Sequence, residues 1–212
     1  KCYNTANGST LDNSNKKVIL NEIAWMGSLN NFSDEWIELK NISSEAVNIS
    51  RWEIINGNQS IKIIIPDGVI LNSQEMYLLE RTDDNTVLHV KKDLIYVGAI
   101  RNENEEIKLF DNNCGLVDLV SSGSKWPAGD SDNKRTMERR SDFSWYTSSA
   151  NCINGICGTP KSENSAFLDI YNTSVSTTTT TTTTQPDSTT TTTTSTTLPT
   201  TTTTTIPVEM GE

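Results

Sequence analysis

Residues 106–120 read Glu-Ile-Lys-Leu-Phe-Asp-Asn-Asn-Cys-Gly-Leu-Val-Asp-Leu-Val. Apolar and polar side chains alternate on both sides of Asp111-Asn112-Asn113-Cys114-Gly115. A period of two flanking a short polar turn with a glycine predicts a β-hairpin. Outward from this hairpin the same pattern repeats along the chain. Val18–Trp25 is an apolar run, and Glu35–Lys40 alternates with Ile37 and Leu39 on one face. Arg51–Ile55 and Ile61–Ile65 follow, the second ending at the turn Pro66-Asp67-Gly68. Met76–Arg81, Leu94–Val97 and a final pair at Met137–Arg140 and Trp145–Thr147 complete the set. Turn residues recur roughly every 8–12 positions between roughly eight to ten short strands, the spacing of a sandwich or barrel. No window long enough for a helix keeps a helical period, so the fold class is all-β and antiparallel.

The chain changes character near its end. From Thr177 to Thr205, 22 of 29 residues are threonine, with one leucine and no aromatic or basic residue. Such a segment has too little apolar surface to offset its ordering entropy. The expected organisation is an N-terminal extension over 1–15, a β-sandwich over 16–165 and a disordered Thr/Pro-rich linker over 166–212. Threonine-rich segments with proline form stalks, O-glycosylated or bare, on exported proteins. A linker needs something on its far side, so a further domain is expected after Glu212. The chain starts at Lys1 and carries no signal peptide, which reads as a mature or excised fragment.

The formal net charge is −10. The tail after Tyr171 contributes Asp187, Glu209 and Glu212 and no base, leaving 24 acids against 17 bases in the body, net −7. That balance disfavours nucleic acid as a partner. Only a local cluster, Lys134-Arg135 with Arg139-Arg140, runs the other way. No segment has the apolar length to span a bilayer.

Four cysteines lie at 2, 114, 152 and 157. An even number placed in turns and at the terminus points to disulfides and an oxidising compartment, and hence an extracellular or cell-surface location. Three connectivities exist. Cys152–Cys157 with Cys2–Cys114 is the favoured one, because the first closes a local loop and leaves the second pair. Free thiols and a zinc site are the rivals, although a single histidine and a C-x4-C spacing suit zinc poorly. Six Asn-x-Ser/Thr sequons occur, at Asn7, Asn31, Asn41, Asn48, Asn58 and Asn172.

These segments, taken together, resemble a lamin-tail domain. The resemblance rests on Val18-Ile-Leu-Asn-Glu-Ile-Ala-Trp-Met-Gly-Ser28, Asp34-Glu-Trp-Ile-Glu-Leu-Lys-Asn41 and Tyr77-Leu-Leu-Glu-Arg81. It continues through Glu106–Asp111, Gly115–Asp118, Trp126-Pro-Ala-Gly-Asp130, Thr136–Arg139, Trp145 and Gly158-Thr-Pro-Lys161. It implies an immunoglobulin-like β-sandwich, closest to the type found in bacterial secreted proteins, with no catalytic residues and no cofactor. The four cysteines depart from the plainest family pattern.

Several residues could still carry chemistry. Glu22, Glu35, Glu38, Glu53 and Glu80 lie in strands, where paired carboxylates can serve acid–base chemistry. The alternative is that they pair with Arg51, Arg81, Arg139 or Arg140, or are solvated. Asp83-Asp84-Asn85 and Asp130-Ser131-Asp132-Asn133 are weak calcium candidates that lack EF-hand spacing. His89 is alone. Of five tryptophans, Trp36 is singled out for recognition because Ile37 and Leu39 claim the other face of its strand. The expected function is non-catalytic: an interaction module of a secreted or cell-surface multidomain protein, binding protein or glycan. One alternative is an accessory domain of an extracellular hydrolase or nuclease whose chemistry lies elsewhere. The other is nucleic-acid binding, by analogy with lamins.

Overall fold

A computed structural model describes residue 2 and residues 15–165. Twelve strands appear: β1 Val18–Ala24, β2 Trp36–Asn41, β3 Val47–Asn48, β4 Glu53–Asn56, β5 Lys62–Ile64 and β6 Ile70–Leu71, then β7 Met76–Arg81, β8 Leu94–Tyr96, β9 Glu106–Phe110, β10 Leu116–Ser121, β11 Met137–Arg139 and β12 Trp145–Thr147. One sheet has the order β12-β11-β1-β2-β7-β8 and a second has β10-β9-β4-β5, with β3 and β6 forming a small ribbon. The two main sheets enclose a single apolar core, an immunoglobulin-like β-sandwich.

Period-two patterning explains the core, with a bulge between Leu20 and Glu22 of β1 that keeps Leu20 and Ile23, three positions apart, on one face. Leu20 and Ile23 of β1, Ile37 and Leu39 of β2, and Tyr77 and Leu79 of β7 point inward and meet Ile54, Ile107, Leu109 and Val120 of the other sheet. The 106–120 hairpin forms as expected, with Leu119 opposite Lys108 and Val120 opposite Ile107. A bulge between Leu116 and Asp118 bends β10, which turns Asp118 toward the first sheet. There Asp118 accepts hydrogen bonds from Leu20 N (2.9 Å), Lys16 Nζ (2.9 Å) and Arg139 Nη2 (2.6 Å). This buried carboxylate ties the two sheets together at one edge.

The pairing departs once from the antiparallel expectation, because β8 runs parallel to β7. The 82–93 connection is long enough to cross back over the sheet, which a parallel pair requires and a tight hairpin does not. The same crossover, with the chain after residue 152, roofs the outer face of the six-stranded sheet. Residues of β1 and β2 are therefore buried on both faces.

This roof overturns the reading of Trp36. Its side chain does point away from Ile37 and Leu39, but it is only 1% exposed. It packs with Ala24 and Leu78 beneath Val87 of the crossover and Ile156 of the C-terminal segment. A buried ring under two covering segments offers no recognition surface. Trp52 is likewise a core residue.

Both favoured disulfides are present: Cys2–Cys114 joins the N-terminal extension to the β9–β10 turn, and Cys152–Cys157 closes a short loop. The rest of the 1–15 extension, apart from Cys2 and Asn15, lies outside the described residues, as does the 166–212 linker.

Candidate functional site

The strand carboxylates come together, though not as a catalytic pair. Glu138 of β11 stands opposite Glu22 of β1, and Glu22 opposite Glu38 of β2. All three are fully buried on the outer face, covered by residues 158–165. Thr159 N donates to Glu22 Oε1 (2.9 Å), and the Thr159 hydroxyl bridges Glu22 Oε2 (2.9 Å) and Glu138 Oε1 (3.1 Å). Lys161 N donates to Glu38 Oε2 (2.6 Å), Asn21 Nδ2 to Glu38 Oε1 (2.8 Å) and Ser165 Oγ to Glu138 Oε2 (2.7 Å). Thr136 Oγ1 also donates to Glu22. Burial, followed by the like charges of Glu138 and Glu38, pushes the Glu22 carboxyl well above its ordinary value. Burial likewise raises Glu38, to about 7. The row is walled off from substrate, and its donors fix the C-terminal segment to the sheet.

The expected arginine pairings are mostly absent. Among the described residues Glu35 has one, to Arg81 Nη1 at 3.0 Å, while Ile100 N donates to its other oxygen. Burial still raises Glu35 to about 7. Arg51 pairs with Asp67, Arg139 with Asp118, and the Arg140 guanidinium lies 4.4 Å from the Tyr146 ring centroid. Glu53 and Glu80 are also buried rather than solvated.

The loop aspartates stay apart. Asp83 accepts Asn85 N, and Asp84 pairs with Lys92 at 2.8 Å. Asp130 accepts Asp132 N and both the backbone and side-chain nitrogens of Asn133. Asp132 is exposed beside it. These are turn-stabilising bonds. Among the described residues no three His, Cys, Asp or Glu side chains converge as a metal would require. His89 is exposed on the crossover.

The sequons also separate by structure. Asn41 is buried and spends its amide nitrogen on Glu45 O, Leu71 O and Asn72 O. Asn31, Asn48 and Asn58 are exposed, each accepting the amide of the serine two positions on. Asn7 and Asn172 lie outside the described residues.

The concave surface forms elsewhere, where the sequence placed two other tryptophans. Trp25, just after β1, stacks on Trp126 with ring centroids 6.2 Å apart and planes inclined by 20°. Each indole N–H is held, Trp25 by Ala128 O (3.1 Å) and Trp126 by Arg101 O (2.9 Å). Gly129 is required here: its φ is +93°, and a Cβ would sit 2.5 Å from Trp25 Nε1. The pair lines a cleft of about 610 Å³ with Asn102, Glu103, Lys125, Ser131 and Thr147. Across the Pro127–Gly129 segment a shallower groove of about 560 Å³ runs along β12, lined by Pro127, Ala128, Arg135 and residues 145–149. Thr147 borders both. Both rings are buried, Trp25 8% and Trp126 6% exposed, and belong to the apolar core, so they form the floor of the cleft rather than an exposed rim. The polar Asp-Ser-Asp-Asn loop that follows Trp126-Pro-Ala-Gly was the available signal that they sit at an opening.

A third feature is an apolar tip. Phe32 is 78% exposed, Leu29 55% and Ile153 54%. Leu29 N donates to Gly155 O (3.0 Å) and Asn30 Nδ2 to Asn154 O (2.7 Å). The Cys152–Cys157 loop thus braces the 27–32 loop and holds these side chains outward.

The family model of the Lamin Tail Domain matches residues 12–124, just over half of the chain. No curated protein matches it. The matched stretch ends before β11, β12 and the segment over the glutamates. With its sheet order, core and paired strands, the chain belongs to the lamin-tail domain family.

Proposed function

We propose that this chain is a non-catalytic interaction module of a secreted or cell-surface multidomain protein, and that its partner is a protein or a glycan. The observation that carries the reading is the Trp25–Trp126 cleft. The buried, stacked rings give the cleft a rigid apolar floor, and the side chains of Asn102, Glu103, Lys125, Ser131 and Thr147 around it form the preorganised recognition surface. The exposed Leu29, Phe32 and Ile153 add an apolar tip of the kind that marks protein contacts. The two disulfides support an oxidising, extracellular setting. The row of Glu22, Glu38 and Glu138 supports a non-catalytic role, since each of these carboxyls is occupied by donors of its own chain.

Three of the four residues of the basic cluster are engaged, which weighs against nucleic acid. Arg139 is buried on Asp118, Arg135 Nη1 donates to Ser148 O and Ala150 O, and Lys134 Nζ donates to Met26 O.

The reading is tested by screening the folded chain against a glycan array and a panel of extracellular proteins. Ser131→Tyr, which fills the cleft from an exposed position, serves as the comparison. Binding that falls about tenfold or more in the variant supports the cleft. Equal binding by both places recognition elsewhere, and hydrolysis of any arrayed glycan overturns the non-catalytic assignment.

A further inference from the structure

The four edges of the two main sheets are not protected alike. At β5, Lys62 sits on the strand and Pro66 follows it. Lys91 and Lys92 precede β8. At β10 the bulge at Leu116–Asp118 breaks the line, and Asp118 is bonded to Leu20 N of the other sheet. Lysine, proline and bulges are the usual guards of a sheet edge. The β12 strand, Trp145-Tyr146-Thr147, carries none of them.

The register shows which backbone groups β12 leaves outward. Arg140 N donates to Ser144 O, and Ser148 N donates to Thr136 O. Those positions and the Glu138–Tyr146 pair between them share one register. In an antiparallel ladder hydrogen-bonded pairs alternate with non-bonded ones. Arg139–Trp145 and Met137–Thr147 are therefore the non-bonded pairs, and the N–H and C=O of Trp145 and Thr147 face away from β11. Among the described residues they meet no partner. They open onto the groove walled by Pro127 and Ala128.

We infer that β12 is a docking edge at which an extended segment of a partner protein, with an acidic residue between two apolar ones, adds as a further strand. The chemistry follows from the two faces of the strand. On the outer face the Arg140 guanidinium lies over Tyr146, so the middle residue of an added strand meets a cation. On the inner face Trp145 and Thr147 sit beside Pro127 and Ala128, so its two neighbours meet apolar surface. Arg135, the one charged side chain lining the groove, is also a cation. Main-chain bonds supply the affinity in this mode, and alternate side chains supply the selectivity. A second copy of β12 pairing with itself would bring two Arg140 side chains together, which favours a different partner.

The inference rests on the interaction-module reading and deepens it. Its test is selection from a random peptide display library on the full chain, followed by hydrogen exchange with the selected peptides synthesised. The expected result is enrichment of apolar–acidic–apolar segments that slow exchange of the Trp145 and Thr147 amides. Thr147→Pro removes one outward N–H without taking a bond from the β11 ladder and should weaken binding about tenfold or more, whereas Thr147→Val, which loses only the Thr147 Oγ1 bond to Gly129 N, should not. Exchange at the Tyr146 amide reports whether that variant keeps its ladder. Arg140→Glu, an exposed change, should reverse the preference from acidic to basic middle residues. Failure to select any peptide, or peptides that bind while leaving the Trp145 and Thr147 amides unprotected, overturns the inference. A partner lost through Ser131→Tyr in the cleft but indifferent to Arg140→Glu would leave the module reading standing without this edge.

Discussion

Glu22 faces Glu138 directly across the β1–β11 ladder, and both carboxylates are buried beneath Thr159, which bonds to each. Two like charges this close, out of water, favour the protonated form of at least one. With Glu38 next in the row, the folded state holds on to protons that the unfolded chain releases at ordinary carboxylate pH.

The sign of the pH dependence follows. Glu38 is raised from 4.5 to about 7 and Glu22 is raised well above 4.5, burial being the first cause for both. A carboxyl with a raised folded-state pKa contributes its stability fully below pH 4.5 and loses it as pH rises through about 7. Thermal melts should therefore show a lower Tm at pH 8 than at pH 5.5, with Glu38 contributing on the order of 2–3 kcal/mol at most. Glu38→Gln should flatten that slope. A Tm that climbs over the same interval contradicts the assignment.

Gly158 starts the segment that covers these carboxylates. A Cβ there would press into Glu22 Oε1 and lie 2.6 Å from Thr136 Oγ1. Gly158→Ala should destabilise the domain by about 2 kcal/mol, read as a lower urea midpoint with the slope unchanged. Unchanged stability would mean that the segment is loosely held.

Among the described residues Asp118 is the carboxylate paired with the buried Arg139 guanidinium, and it also holds Lys16. Asp118→Asn leaves two buried cations without a counter-charge. The expected loss is about 3–5 kcal/mol, measured by denaturant unfolding. A loss below about 1 kcal/mol would show that water reaches the cluster.

The two disulfides should differ in weight. Cys2–Cys114 spans 112 residues of sequence and Cys152–Cys157 spans 5. Loop-closure entropy predicts losses of about 4–5 and about 2 kcal/mol on replacing each pair by serine. Differential scanning calorimetry of the two double variants gives the ranking, and the reverse order would refute the entropic account.

Trp36→Ala separates a packing role from a recognition role. Buried between Leu78 and the covering Val87 and Ile156, its loss should destabilise the fold by about 3–5 kcal/mol. A variant that melted like the parent but failed to bind would restore Trp36 as a recognition residue.

Most strands were legible because each keeps a period of two between turn residues, and the 106–120 hairpin was legible down to its turn. Face assignment was legible too, since Trp36 does oppose Ile37 and Leu39. What covers a face was not. The roof over Trp36, Glu22 and Glu38 comes from residues 84–91 and 152–165, which lie far away in sequence and carry no periodic signal. A glutamate in a strand looks the same whether it meets water or a threonine more than a hundred residues away. The parallel β8 was hidden for the same reason, because a crossover announces itself by length alone. The unguarded edge of β12 depends on which neighbour a strand has, which the pattern within that strand does not encode.

The same hydrogen bonds that bury the glutamates determine how the domain takes a pull. Tension applied to the chain after Ser165 arrives first at Ser165, Asn164, Lys161 and Thr159, whose bonds reach Glu138, Asn21, Glu38 and Glu22 on three neighbouring strands. Tension applied at Cys2 passes through the disulfide into the Cys114 turn between β9 and β10. Load is thus spread over the breadth of one sheet and, at the far terminus, over a covalent link.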